Sequence, residues 1–269
     1  MKISIAVSTP DAKFSALALK GGMEENLGLV SSLGFHGVEI SVRDPSTLDA
    51  GALRKLIKKH DVAVSAIGTG RAFGEDGLSF TDPDHAVREA AVERIKAQID
   101  LAAGFEAVVI LGLILGRREM NPETRRLALD CVRSCADHAV SKEARLAIEP
   151  INRYETGFIN RVDQCLEFIG GIDSPSCGIL LDTFHMNIEE PDVYRSIGEA
   201  GNLIRHVHVA DSNRWHPGAG HLDFGRIIGA LRETGYDGFL SAEILPMPDP
   251  RAAAAGAART LLSLLGETG

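Results

Sequence analysis

Short β-rich apolar runs alternate along the chain with longer stretches in which apolar positions recur at helical spacing. The runs occupy residues 3–7, 37–40, 62–67, 106–111, 145–149, 178–182, 205–208 and 238–243. The helical rhythm fills residues 22–33, 52–60, 84–103, 122–140, 162–169, 193–200, 225–234 and 251–265. Strict alternation of strand and helix demands a parallel sheet with right-handed crossovers, and eight such units close into a barrel. Gly34, Gly104 and Gly235 stand at helix exits, where each is expected to adopt the left-handed conformation that returns the chain to the sheet. The pattern predicts an α/β fold, a (β/α)8 TIM barrel, as a single domain over residues 1–269.

Four of the runs end in residues that bear chemistry: Glu149, Asp182, His208 and Glu243. A parallel barrel delivers strand ends to one rim, where active sites of this architecture lie. Three carboxylates there repel one another and resist desolvation, so a cation between them is expected. Each residue also has an ordinary explanation. A strand-ending Glu can be a surface ion-pair partner, and Asp182 can cap a helical turn that starts at Thr183. His206 and His208 alternate on one strand and share a face, so either can be a hydrogen-bonded core residue. Coincidence would have to act four times over, which favours a metal site. Oxygen donors with one imidazole suit Mn²⁺, Mg²⁺ or Co²⁺ rather than structural zinc, with Mn²⁺ the leading expectation.

Charge and cysteine content narrow the setting. The 269 residues carry a net charge of −9, which disfavours nucleic-acid binding. No run is long enough to span a membrane, and residues 1–8 are too short for an export signal, so they are expected to form the first strand. Cys131, Cys135, Cys165 and Cys177 include no CxxC pair and read as free thiols, as in a reducing cytoplasm.

The segments Glu149-Pro-Ile-Asn-Arg-Tyr-Glu155, Leu181-Asp-Thr-Phe-His-Met-Asn-Ile-Glu-Glu190, His206-Val-His-Val-Ala-Asp-Ser-Asn-Arg214 and Pro217-Gly-Ala-Gly-His221 resemble those of the xylose isomerase-like TIM-barrel superfamily. Within it they are most similar to the D-tagatose 3-epimerase-type ketose 3-epimerases and related sugar phosphate isomerases. The resemblance implies a divalent metal held by Glu149, Asp182, His208 and Glu243. It also implies that Glu155, His185 and Arg214 contact substrate oxygens, and that the chain forms a homo-dimer or homo-tetramer.

A proton beside a carbonyl is too weakly acidic for a carboxylate to remove unaided, and a divalent cation on the adjacent oxygens stabilises the cis-enediolate that forms. With Glu149 and Glu243 on opposite faces of that carbon, one removes the proton and the other returns one, giving epimerisation, expected at C3. Return to the neighbouring carbon gives aldose–ketose isomerisation instead. The expected partner is therefore a small sugar or sugar phosphate. A lyase acting on a keto-inositol or dehydroshikimate-like acid would use the same first step. A DNA-repair nuclease would need more histidines and a basic face, and a sugar-binding sensor would not need both carboxylates.

The connections 68–83, 112–121 and 210–222 are long and glycine-rich and are expected to build the substrate pocket. At most one of Arg71, Arg117 and Arg118 is expected to face inward, toward an anionic group on the substrate. Trp215 is placed either to stack on a sugar or to pack within its own loop.

Overall fold

Strand β1 (Lys2–Ser8) pairs with the two-residue β2 (Leu19–Lys20) on one side and opens the barrel on the other. β3 (Gly37–Ser41), β4 (Ala63–Gly68), β5 (Val108–Leu111), β6 (Arg145–Ile148), β7 (Cys177–Asp182), β8 (Ile204–His208) and β9 (Phe239–Ala242) follow in spatial order. All pairings are parallel, and β9 closes on β1. This computed structural model describes residues 1–266.

Around the barrel lie α1 (Met23–Ser32), α2 (Ala50–His60), α3 (Gly70–Asp76), α4 (His85–Ala103), α5 (Pro122–Ser141), α6 (Val162–Ile172), α7 (Thr183–Glu189), α8 (Val193–Ala200), α9 (Phe224–Glu233) and α10 (Pro250–Leu265). Starts are set by side chains that accept from otherwise unpaired backbone N–H groups: Asp84 for α4, Asn121 with Thr124 for α5, and Asp249 ahead of Pro250 for α10. The eight long helices and eight barrel strands coincide with the periodic segments. The short α3 and α7 lie in stretches that the periodicity leaves as loops, because seven residues are too few to establish a helical repeat.

Gly34 and Gly235 have φ of +83° and +78°, as expected of helix exits. Gly104 does not: its φ is −66°, and the left-handed residue of that turn is Glu106 at +57°. A Cβ on Gly104 would stand 2.8 Å from Nη2 at the tip of the exposed Arg54 side chain, so neither backbone handedness nor fixed packing demands glycine there.

Strand side chains that point outward join the helix faces in one apolar core, including Ile3, Ile5, Leu27, Val109, Leu146 and Leu261. The barrel interior is divided. On the β4–β7 side it holds Ala66, Val108, Ile110, Ala147 and Leu180. On the β3, β8 and β9 side it holds Glu39, His206, His208 and Ser241, all buried. In register, Asp182 pairs with His208 and His208 with Ser241, so neighbouring strands place these three side by side.

Candidate active site

Asp182 is the last residue of β7 and the cap of α7, and its two oxygens divide these tasks. Oδ1 accepts from the backbone N–H of Phe184 (2.7 Å) and His185 (3.3 Å), while Oδ2 is buried without a hydrogen-bond partner. His208 Nδ1 is likewise buried and unpartnered, 3.6 Å from Asp182 Oδ2 and 3.5 Å from Glu149 Oε1. One donor atom each from Glu149, Asp182 and His208 lies within 4.8 Å of the others. Two carboxylates and an imidazole, with two donors left unsatisfied at the same spot, fit a divalent cation. Glu243 lines the same cavity but falls outside that trio; its Oε2 accepts from Arg214 Nη2 at 3.0 Å.

The other ring nitrogen of His208 is committed. Nε2 lies 2.9 Å from Glu39 Oε2, as does Nε2 of His206, and Ser241 Oγ donates to the same oxygen at 3.0 Å. His206 is therefore the hydrogen-bonded core histidine of the pair. Glu39 was not singled out by sequence, although a carboxylate inside the apolar run 37–40 was a visible anomaly.

The residues assigned to substrate contact also converge. Arg214 Nη1 donates to Glu155 Oε1 at 3.0 Å, and its Nε is buried with no partner. Its guanidinium lies between the Phe14 and Phe184 rings, 5.1 and 4.9 Å from their centroids. The residue has φ of +61°, held by bonds from its N–H to Asp211 O and from Leu245 N to its carbonyl. Asn152 Oδ1 accepts from Tyr154 N, which orients the amide so that Nδ2 donates to Glu155 Oε1 (3.0 Å) and His185 Nδ1 (2.8 Å). His185 Nε2 then carries its proton and points into the site, 3.7 Å from Asp182 Oδ2 and 3.9 Å from Glu149 Oε1.

Glu149, Glu155, His185, His208, Arg214 and Glu243 line a cavity of about 260 Å³ whose far wall comes from the connections 68–83 and 112–121, while the third, 210–222, contributes only Arg214. Two arginines, not one, reach that wall. Arg71 is buried and saturated by Glu75, Asp11 and Thr9, whereas Arg117 is exposed and stacks on Phe73. Arg118 turns to the carbonyl of Thr81. Trp215 does not line the cavity; Phe14, from the β1–β2 connection, supplies the aromatic wall in its place. Gly112 is required for closeness, since a Cβ there would stand 2.5 Å from Glu149 Oε2.

Burial shapes the electrostatics. It pushes the Glu243 carboxyl up to about 8, with Glu149 and Asp182 adding to the effect and His208 and Arg214 opposing it. For Asp182, burial is outweighed by His185 and His208, which hold the carboxyl well below the usual range. Burial also works against the His208 imidazolium, but Glu39 and Glu243 raise its pKa well above the ordinary value. Among the described residues the four cysteines are free and buried, and no helix is long and apolar enough to cross a membrane.

A family model described as xylose isomerase-like TIM barrel matches residues 27–264. A ketose 3-epimerase of Arthrobacter globiformis is 31% identical over 223 residues, 81% of this chain and 75% of that protein. A 3-dehydro-D-guloside 4-epimerase of Escherichia coli K12 is 33% identical over 232 residues, 81% of this chain and 86% of that protein. A solved L-ribulose 3-epimerase superposes with a TM-score of 0.83 at 27% identity, covering 98% of this chain and 94% of the other.

Proposed function

The chain belongs to the xylose isomerase-like TIM-barrel family, and from that premise we propose that it is a metal-dependent epimerase acting at C3 of a small keto sugar or sugar phosphate. Its ketose 3-epimerase relatives are isomerases, and they favour this reading over a lyase. The observation that carries it is the pair of buried, unpartnered atoms Asp182 Oδ2 and His208 Nδ1, 3.6 Å apart, beside a cavity that His208, Glu149 and Glu243 line.

Glu149, Asp182, His208 and Glu243 would hold the ion. When bound, the ion supplies the positive charge that acidifies the carbon next to the substrate carbonyl. Glu149 and Glu243 act from opposite faces of that carbon, one taking its proton and the other returning one to the far side. Arg214 offers its free Nε–H to a substrate oxygen, and His185 offers Nε2–H. Phe14 and Phe184 hold the guanidinium and exclude water from it. Glu155 keeps Arg214 and Asn152 in place and accepts from a substrate hydroxyl. Mn²⁺ is the proposed ion. Four unpaired thiols favour a reducing cytoplasm, and the family resemblance favours a homo-dimer or homo-tetramer.

The 4-epimerase relative supports a second reading, in which the same carboxylates act one carbon further along. Incubating the protein with L-ribulose, D-psicose and their phosphates in deuterated water, with Mn²⁺ or with a chelator, separates the two. Metal-dependent deuterium at C3 with interconversion of the C3 epimers is expected. Label at C4 would move the reaction to that carbon, and no exchange with any keto sugar would overturn both readings.

A further inference from the structure

Glu39 contributes one oxygen to three donors and touches the metal trio through His208. Its Oε2 lies 2.9 Å from His206 Nε2, 2.9 Å from His208 Nε2 and 3.0 Å from Ser241 Oγ, and all four side chains are buried. A carboxylate is an acceptor, so both imidazoles must carry a proton on Nε2. In neutral His208 this leaves the Nδ1 lone pair free, and Nδ1 is the atom that faces Glu149 and Asp182 without a partner. The opposite tautomer would turn an N–H rather than a lone pair toward those two carboxylates and would cost Glu39 one of its three donors.

We propose that Glu39 is a positioning residue, which fixes His208 in the Nε2–H tautomer so that Nδ1 is presented to a divalent cation. The inference rests on the metal reading above. Outer carboxylates that receive the second N–H of a ligating histidine set both ring orientation and ligand basicity. Here the carboxylate is itself immobilised. His206 and Ser241 approach the oxygen that His208 uses, from β8 and β9, so Glu39 cannot swing away without releasing three bonds. This gives His206 and Ser241 a purpose at the barrel centre, where apolar residues fill the opposite half.

Glu39, His206 and His208 also form a donor cluster within 4.8 Å and could be taken for a second ion site. One imidazole cannot offer a lone pair at Nε2 to that site and another at Nδ1 to the first while remaining neutral. A single ion per chain is therefore expected.

The test compares chelator-stripped wild type with Glu39→Gln and Ser241→Ala, titrating Mn²⁺ calorimetrically and recording ¹⁵N-histidine spectra of the Mg²⁺ form. Wild type should take up one ion, with His208 protonated at Nε2 alone. Glu39→Gln should bind Mn²⁺ roughly 10- to 100-fold more weakly and, at the Mg²⁺ concentration that saturates the wild type, leave part of its His208 in forms other than Nε2–H alone, at an unchanged far-UV spectrum. Ser241→Ala, which keeps the carboxylate and removes one donor, should lose less affinity; it carries the test if Glu39→Gln does not fold. Wild-type affinity and tautomer in the folded Glu39→Gln variant, in Ser241→Ala if Glu39→Gln does not fold, or two ions per wild-type chain, would overturn the inference. A wild-type protein that binds no divalent ion would instead remove the metal reading on which it rests.

Discussion

Arg214 donates from Nη2 to Glu243 Oε2 across 3.0 Å, so the carboxylate that follows β9 is held by a fixed cation on one side. That contact opposes the burial that pushes the Glu243 carboxyl up to about 8. Removing the cation should raise the carboxyl further. Arg214→Gln is expected to move the acid limb of the kcat/KM profile upward by about 1 pH unit and to lower kcat/KM by roughly 10- to 100-fold. Arg214→Lys keeps the charge without the two-pronged geometry, so its acid limb should stay near that of the wild type while KM rises. An acid limb that does not move in Arg214→Gln would show that Glu243 does not set it.

Gly112 allows the β5 connection to pass against Glu149. A Cβ would stand 2.5 Å from Oε2 of that carboxylate, and Gly112→Ala should therefore displace it. Mn²⁺ affinity measured by calorimetry is expected to fall about tenfold or more, with the far-UV spectrum preserved. Gly229→Ala in α9 is the contrasting change, because nothing lies within 4 Å of the added methyl. There the gain in helix propensity should stabilise the fold by about 1 kcal/mol. Equal metal affinity in both variants would contradict the close approach at Gly112.

Strand-ending residues were legible because the barrel architecture converts position in the sequence into position at the rim. Glu149, Asp182, His208 and Glu243 needed only the strand pattern. Glu39 did not end a strand, and its run looked apolar; its partners lie more than 160 positions away in sequence. Phe14 was hidden for the same reason, since its stacking on Arg214 joins a loop near the start of the chain to one near its end. Asp182 illustrates a different limit. In the sequence, capping and metal binding stand as alternatives, yet one carboxylate has two oxygens and the structure commits only one to the cap. Sequence shows the charge of Arg71 but not its neutralisation by Glu75 and Asp11, which lets it sit buried in the cavity wall beside Arg117.

The raised Glu243 carboxyl has a consequence for stability. Its folded value of about 8 lies above the ordinary 4.5, so the unfolded chain ionises first and the metal-free protein loses this contribution between those pH values. His208, also raised, holds its proton in the same metal-free state. A bound cation favours the unprotonated forms, so metal binding releases protons and strengthens with pH. The rise in melting temperature on adding excess Mg²⁺ should be larger at pH 8 than at pH 6. A metal-induced shift that is constant or declines over that range would contradict the assignment of these groups to the ion site.

The acid–base roles make a prediction sharper than loss of turnover. If Glu149 and Glu243 serve opposite faces of the reacting carbon, each epimer presents its C–H to only one of them. Glu149→Gln and Glu243→Gln should both abolish epimerisation, because one carboxylate cannot reach both faces. Each variant should nevertheless still exchange that hydrogen with deuterated water, slowly and from one epimer alone, and the two variants should select opposite epimers. Both side chains are also proposed to hold the ion, so saturating Mn²⁺ is needed to separate weakened binding from lost proton transfer. Exchange measured by ¹H NMR on each pure epimer reads this directly. Exchange of the same epimer in both variants would mean that a single carboxylate handles both faces, and the two-base scheme would fall even with the metal site intact.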